Sequence, residues 1–143
     1  MANTAMTVGV AIAASQSDQE TGTSTTTVVT PGRQQFHPCS AKSWLQFYHS
    51  GGTPTVVSSY NVSSLSDVGT GRVGVNFTVS MSSANYAISV TGEYAVGSYQ
   101  IPGYVDTAAT VSSAGTAKVN FGTAAAGALD ISARATVVCF GDQ

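Results

Sequence analysis

From Arg72 to Ser80 the chain alternates without a break. Val73, Val75, Phe77 and Val79 fall on one side, and Arg72, Gly74, Asn76, Thr78 and Ser80 on the other. Side chains of an extended strand point to opposite faces with a period of two, so this run predicts a strand with one buried face. The same period recurs from Ala41. Ser43, Leu45, Phe47 and His49 oppose Lys42, Trp44, Gln46 and Tyr48. It returns at Tyr86, Ile88 and Val90, at Ala117, Val119 and Phe121, and at Leu129, Ile131, Ala133, Ala135, Val137 and Cys139. Thr55–Asn61 is a further strand candidate, between turn clusters at Ser50–Pro54 and Asp67–Gly71. Gly103–Asp106 and Ala109–Ser113 carry weaker strand signals, and Gly122–Gly127 reads as a small-residue loop. With Ser82-Ser83-Ala84-Asn85 as its turn, Arg72–Thr91 predicts a hairpin. Short strands separated by Gly, Ser and Asn turns predict an all-β fold, an antiparallel β-sandwich or barrel, over residues 41–143.

Composition supports that class and bears on how the core is filled. Of the 43% apolar residues, Ala supplies nineteen and Val eighteen, while Leu supplies three. Ala buries little area, and apolar burial stabilises by about 25 cal/mol per Å². A chain poor in Leu and rich in Val, Thr, Ser and Gly suits strands better than a helix bundle. Its small side chains further predict a thin core completed by other copies of the chain. Charged residues make up 8%, against about 25% in ordinary soluble domains. The five cations Arg33, Lys42, Arg72, Lys118 and Arg134 are scattered. A surface that tracks phosphates needs them clustered, so no nucleic-acid partner is expected. No apolar run reaches the roughly 18–20 residues of a membrane helix, and no basic leader segment precedes Ala5–Ala14. Neither membrane insertion nor a secretory signal is expected.

Residues 1–40 read differently from the rest and form an N-terminal lead and connector. Ser15 suits a helix N-cap, Asp18 stands three residues on where a capping carboxylate is useful, and Gly22 suits the left-handed C-terminal position. One or two helical turns are expected there, docked on something, because so short a helix is marginal in water. The β-branched run Thr21–Thr30 and the prolines Pro31 and Pro38 then predict an extended connector, with Thr30 and His37 held out of the helical region.

Residues that carry chemistry are sparse. His37 and His49 are the only imidazoles, and Cys39 and Cys139 the only thiols. His37-x-Cys39 lacks the paired spacing of a zinc site, so no metal and no cofactor is expected. His37 is expected to cap a turn and His49 to end a strand. The cysteines read as free thiols, although a bond between them is open if the first and last strands are neighbours. The acids Asp18, Glu20, Asp67, Glu93, Asp106, Asp130 and Asp142 are dispersed and sit mostly beside turns. A glycosidase needs two of them facing across one groove. No catalytic residues are expected, and the protein is not read as an enzyme. Tyr94, Tyr99 and Tyr104 instead cluster in the irregular segment Glu93–Asp106. A tyrosine offers a flat apolar face and a hydroxyl, which suits sugar or protein contacts, or the covering of a sheet end.

The segment Ala14-Ser15-Gln16-Ser17-Asp18-Gln19-Glu20-Thr21-Gly22-Thr23, followed by Val28-Val29-Thr30-Pro31, resembles one that recurs in bacteriophage tail-fibre and related virion appendage proteins. Gly32-Arg33-Gln34-Gln35-Phe36-His37-Pro38 with Ala41-Lys42-Ser43-Trp44 is similar to the opening of a phage β domain. So are Asn61-Val62-Ser63-Ser64, Val75-Asn76-Phe77-Thr78 and Ala84-Asn85-Tyr86-Ala87. The likeness spans Ala14–Val90 and departs at Cys39, where a small residue such as Ser is usual. It implies a structural component of a phage virion, a tail fibre or short appendage that mediates host-surface attachment and forms a homotrimer. Residues 1–22 would meet other virion proteins. Tyr94, Tyr99 and Tyr104 would meet a host cell-surface glycan or protein. A capsid-decorating or head-fibre protein is the alternative, and a polysaccharide depolymerase a more distant one.

Overall fold

The computed structural model describes residues 11–93, 100–105, 112–123 and 127–143. The chain divides into two compact units, Met1–Ser40 and Ala41–Gln143.

In the first unit, β1 (Ile12–Ala13) pairs in parallel with β2 (Thr27–Val28), and α1 (Gln16–Thr21) lies between them in sequence. The helix is closed at both ends as its sequence demands. The Ser15 side chain accepts from the Asp18 N–H at 3.1 Å, and the Asp18 carboxylate accepts from the Ser15 N–H at 2.8 Å, a complete capping box. These bonds hold the Asp18 carboxyl below its ordinary value. Gly22 takes φ 63° and returns its N–H to the Asp18 carbonyl. Gln19 is buried, and the helix packs beside a short 3-10 helix (Gln34–Phe36). The connector is therefore not extended throughout. Pro31-Gly32-Arg33 forms a turn that runs into the 3-10 helix, and the chain straightens again at His37, φ −67° and ψ 129°. Pro31 restricts Thr30 but favours a turn immediately after itself.

The second unit is antiparallel β throughout its named strands. They are β3 (Ser43–Ser50), β4 (Thr53–Tyr60), β5 (Val62–Gly69), β6 (Arg72–Phe77), β7 (Ala87–Glu93), β8 (Gln100–Val105), β9 (Thr116–Thr123), β10 (Gly127–Ala128) and β11 (Arg134–Phe140). Their order is β4-β3-β11-β7-β8-β9-β6-β5, with β10 on β9. The two ends of this sheet, β4 and β5, are consecutive in the chain and separated only by Asn61. One residue spans a few ångströms, so the sheet must curl until its two edges approach. The result is a nearly closed barrel.

Asn61 is built for that corner. It holds φ 54°, a left-handed conformation that Asn tolerates better than most residues. Its side-chain amide donates to the carbonyls of Lys42 and Val79, each at 3.0 Å, and its Oδ1 accepts from the Val79 N–H at 2.7 Å.

The core fills from inward positions. Leu45, Phe47, Val73, Val75, Val119, Phe121 and Ile131 are fully or almost fully buried, and Phe47 and Phe121 meet edge to face with centroids 5.8 Å apart. The faces of β3, β9 and β11 follow the alternation predicted for them. A single copy closes this core, so the shortage of large apolar residues is met by Val and Phe on converging strands. The expected completion of the core by sister copies is not needed for these residues.

Three expectations are corrected. Arg72–Thr91 is not a hairpin: β6 pairs with β5 and β9, and β7 with β11 and β8. The chain between them crosses the end of the barrel, where the N–H groups of Thr78, Met81 and Ser82 donate to the carbonyls of Asn61, Ala114 and Asp142. Alternation encodes which face is buried and carries no information on which strand lies alongside. Val79, grouped with the core face, is 57% exposed, because β6 ends at Phe77. Val62–Gly69, left out of the expected strands, is β5. Its register shifts near both ends, which displaces its apolar residues to Val62, Leu65 and Val68 and hides the period of two.

Candidate functional site

Two groups of side chains stand apart from the core. The first lies on the outer face of the sheet. Residues directly opposite each other in an antiparallel pair share a face. Trp44 stands opposite Tyr60 on β4 and opposite Val138 on β11. Beside this row runs a second one of Ser58, Gln46, Thr136, Thr91 and Pro102. Trp44 is 38% and Tyr60 50% exposed. The only tryptophan thus lies on the face turned away from Leu45 and Phe47, among hydroxyl and amide side chains. No Asp, Glu, Lys or Arg occurs from Ser43 to Ser66.

Sequence reading grouped Trp44, Gln46 and Tyr48 on one face but did not recognise it as a surface. The signal was there: two aromatic residues on the polar side of an alternating strand.

Tyr104 is on β8, opposite Asn120 on β9, and is exposed. It therefore belongs to a strand and not to an irregular loop, because the stretch from Gly92 to Gly127 contains the pairing strands β8 and β9. Tyr94 and Tyr99 lie outside the described residues. The described part of the proposed tyrosine cluster is thus Tyr104 alone.

The second group closes the end of the barrel that carries the β3–β4 and β5–β6 turns. His49 is buried, and its Nδ1 accepts from the Ile131 N–H at 3.0 Å. The ring proton of the neutral imidazole must then sit on Nε2. That nitrogen has no hydrogen-bond partner among the described residues, and the Asp130 Oδ1 stands 3.7 Å away. The same oxygen accepts from the Gly71 N–H at 2.7 Å.

Gly71 has no alternative there. Its φ is +70°, and a Cβ would come within 2.5 Å of the Phe121 carbonyl oxygen and 2.6 Å of the Leu129 nitrogen. His49 thus does more than end a strand. With Asp130 it ties the end of β3, the β5–β6 turn and the approach to β11. No sequence signal joined residues eighty-two positions apart.

The remaining reactive groups have structural surroundings. His37 Nδ1 accepts from the Cys39 N–H at 3.1 Å, which makes it the turn cap expected of it. Both cysteines are free. Burial pushes the Cys139 thiol up to about 12, far from the thiolate that nucleophilic chemistry requires. Burial likewise pushes the Tyr86 hydroxyl up to about 12. That hydroxyl donates to the Ser113 and Thr116 carbonyls at 3.0 and 2.9 Å. Among the described residues no group of three His, Cys, Asp or Glu side chains converges to hold a metal ion.

What the arrangement offers chemically is surface: the exposed rings of Trp44 and Tyr60 with neutral hydrogen-bonding neighbours on an all-β unit. No family model, no curated protein and no solved structure matches the chain.

Proposed function

We propose that this protein is a structural component of a phage virion, a tail fibre or short appendage, and that its work is attachment to the host surface. The observation that carries the reading is the outer sheet face, where Trp44 and Tyr60 are exposed in a stretch, Ser43–Ser66, that holds no Asp, Glu, Lys or Arg, and where Tyr104 is exposed in a row that continues through Asn120 to Arg72. An aromatic ring set among hydroxyls and amides suits the apolar face of a sugar ring or a neutral protein surface. Low charge adds little non-specific electrostatic attraction. The resemblance of Ala14–Val90 to virion appendage segments supplies the setting. In it several copies, a homotrimer on that resemblance, act together, so that weak sites add through effective concentration. Residues 1–22 anchor the particle end, and Tyr104, with Tyr94 and Tyr99, meets the host glycan or protein.

Gold-labelled antibody against the protein, applied to intact particles and viewed by electron microscopy, tests this directly. Gold at the tail or its fibres supports the reading. Gold spread over the head shell replaces it with a capsid-decorating role, and unlabelled particles overturn the virion assignment.

A further inference from the structure

We infer that His49 is a proton-operated clasp: a second proton on its ring releases Ile131 and loosens this end of the barrel in acid. The inference is independent of the virion reading.

Ile131 lies in no strand, shortly before β11, yet its side chain is fully buried in the core. Two bonds join its backbone to β3 at His49. The His49 N–H donates to the Ile131 carbonyl at 2.6 Å, and the Ile131 N–H donates to the ring Nδ1 at 3.0 Å. The first is a main-chain bond that no titration alters. The second depends on a lone pair of the imidazole. Asn61 does a similar task at the β4–β5 corner with an amide, which does not titrate. At His49 the acceptor belongs to the side-chain type that exchanges a proton near neutral pH.

The proton has one place to go. Nε2 already carries the hydrogen of the neutral ring, because Nδ1 accepts. A proton taken from solvent forms its N–H bond with the Nδ1 lone pair, and the ring becomes an imidazolium with a donor on each nitrogen. Nδ1–H then meets the Ile131 N–H, donor against donor, and that bond is lost. A buried donor left without an acceptor is costly, so the segment moves. The new charge has a partner on the other side. Nε2 lies 3.7 Å from the Asp130 Oδ1, beyond hydrogen-bond length. The charged ring is drawn to that carboxylate, so both effects favour the released arrangement. The other charged groups near this end are Asp67, which accepts from the Gly69 N–H at 2.9 Å, Arg72, opposite Asn120 on β9, and Arg134, opposite Glu93 on β7. Pro54, opposite His49 on β4, and Phe47, whose ring centroid is 5.6 Å from that of His49, do not titrate. Release frees residues 129–133 on the approach to β11. The β3–β11 ladder, which starts at Ala135, stays paired.

The test is heteronuclear NMR of the full chain between about pH 8 and about pH 5. Ring nitrogen shifts report when the His49 Nδ1 takes its proton. Amide exchange, corrected for its intrinsic pH dependence, compares Ile131 with Phe77, whose N–H donates to the Gly115 carbonyl at the other end of β6. Protection of Ile131 should fall at least about ten-fold as the ring charges, while that of Phe77 changes by less than about two-fold. His49→Asn puts an acceptor oxygen in the place of Nδ1 and cannot titrate, so Ile131 should then stay protected throughout. A ring that keeps a single proton down to about pH 5 overturns the clasp, and so does one that charges while Ile131 stays protected. Equal loss at Ile131 and Phe77 overturns it too, because the whole sheet then unfolds. Acid loss at Ile131 that persists in His49→Asn removes His49 as its cause. If His49→Asn does not fold, the ring shifts and the two amides of the native chain still decide.

Discussion

β9 and β4 are both eight-residue antiparallel strands, yet the barrel treats them in opposite ways. On β9, Ala117, Val119 and Phe121 lose all exposure, because β6 and β8 flank the strand and the far wall of the barrel covers its inner face. On β4, Val56 and Val57 keep about half of theirs, although valine is as apolar there as on β9. A strand's burial is thus set by its neighbours in the sheet more than by its own residues. The edge is where apolar side chains remain available for contact.

Substitutions on the two strands and at the corner beside β4 test how far burial separates them. Phe121→Ala on β9 removes a ring from the closed core and should cost about 3–5 kcal/mol in urea unfolding. A loss near 1 kcal/mol would mean that the core relaxes and is not closed as described.

Asn61→Ala strikes the corner that joins the exposed edge to the buried half. It removes three hydrogen bonds and places Ala at φ 54°, for a loss of about 2–3 kcal/mol. Asn61→Gly should recover the backbone part of that loss and not the bonds.

Tyr86→Phe removes the hydroxyl's bonds to the Ser113 and Thr116 carbonyls, which keep their backbone partners, and should cost about 1 kcal/mol. It also tests the alkaline limb. Tyr86 and Cys139 have folded-state values raised to about 12 from 10.0 and 9.0. Their stabilisation is therefore complete below pH 9 and is lost as pH rises toward about 12. A pH series of melting temperatures should fall over that window, less steeply in Tyr86→Phe.

Ser15→Ala should lower helical signal in the first unit by an amount worth about 1 kcal/mol or less, and leave the melting of the β unit unchanged. The smallest effect is reserved for β4. Val57→Thr, at an exposed position, should change urea unfolding by no more than about 0.5 kcal/mol.

Much of the inner face was legible. Ser43, Leu45, Phe47, Ala117, Val119, Phe121, Ala135, Val137 and Cys139 are buried where the period of two put them. The helix caps were legible too, because Ser15, Asp18 and Gly22 act within a few residues of one another. β5 was hidden by its register shifts, and the supposed hairpin failed because β8 and β9 come between its two strands. Of the candidate site, Tyr104 was named but placed on a loop. Trp44 and Tyr60 were not named, since nothing local says that the next strand will bring a tyrosine sixteen positions along the chain opposite the tryptophan.

The amino-acid order by itself determined which residues turn inward and where the first helix starts and stops, because these follow from Cβ sterics and from bonds within a single turn of chain. Only the folded barrel decided which strands are neighbours, that β4 and β5 end the sheet among the described residues, and that His49 reaches Asp130 and Ile131. Those outcomes depend on how the whole apolar surface is buried at once. That is a property of strands meeting across the barrel and is written in no single stretch of the chain.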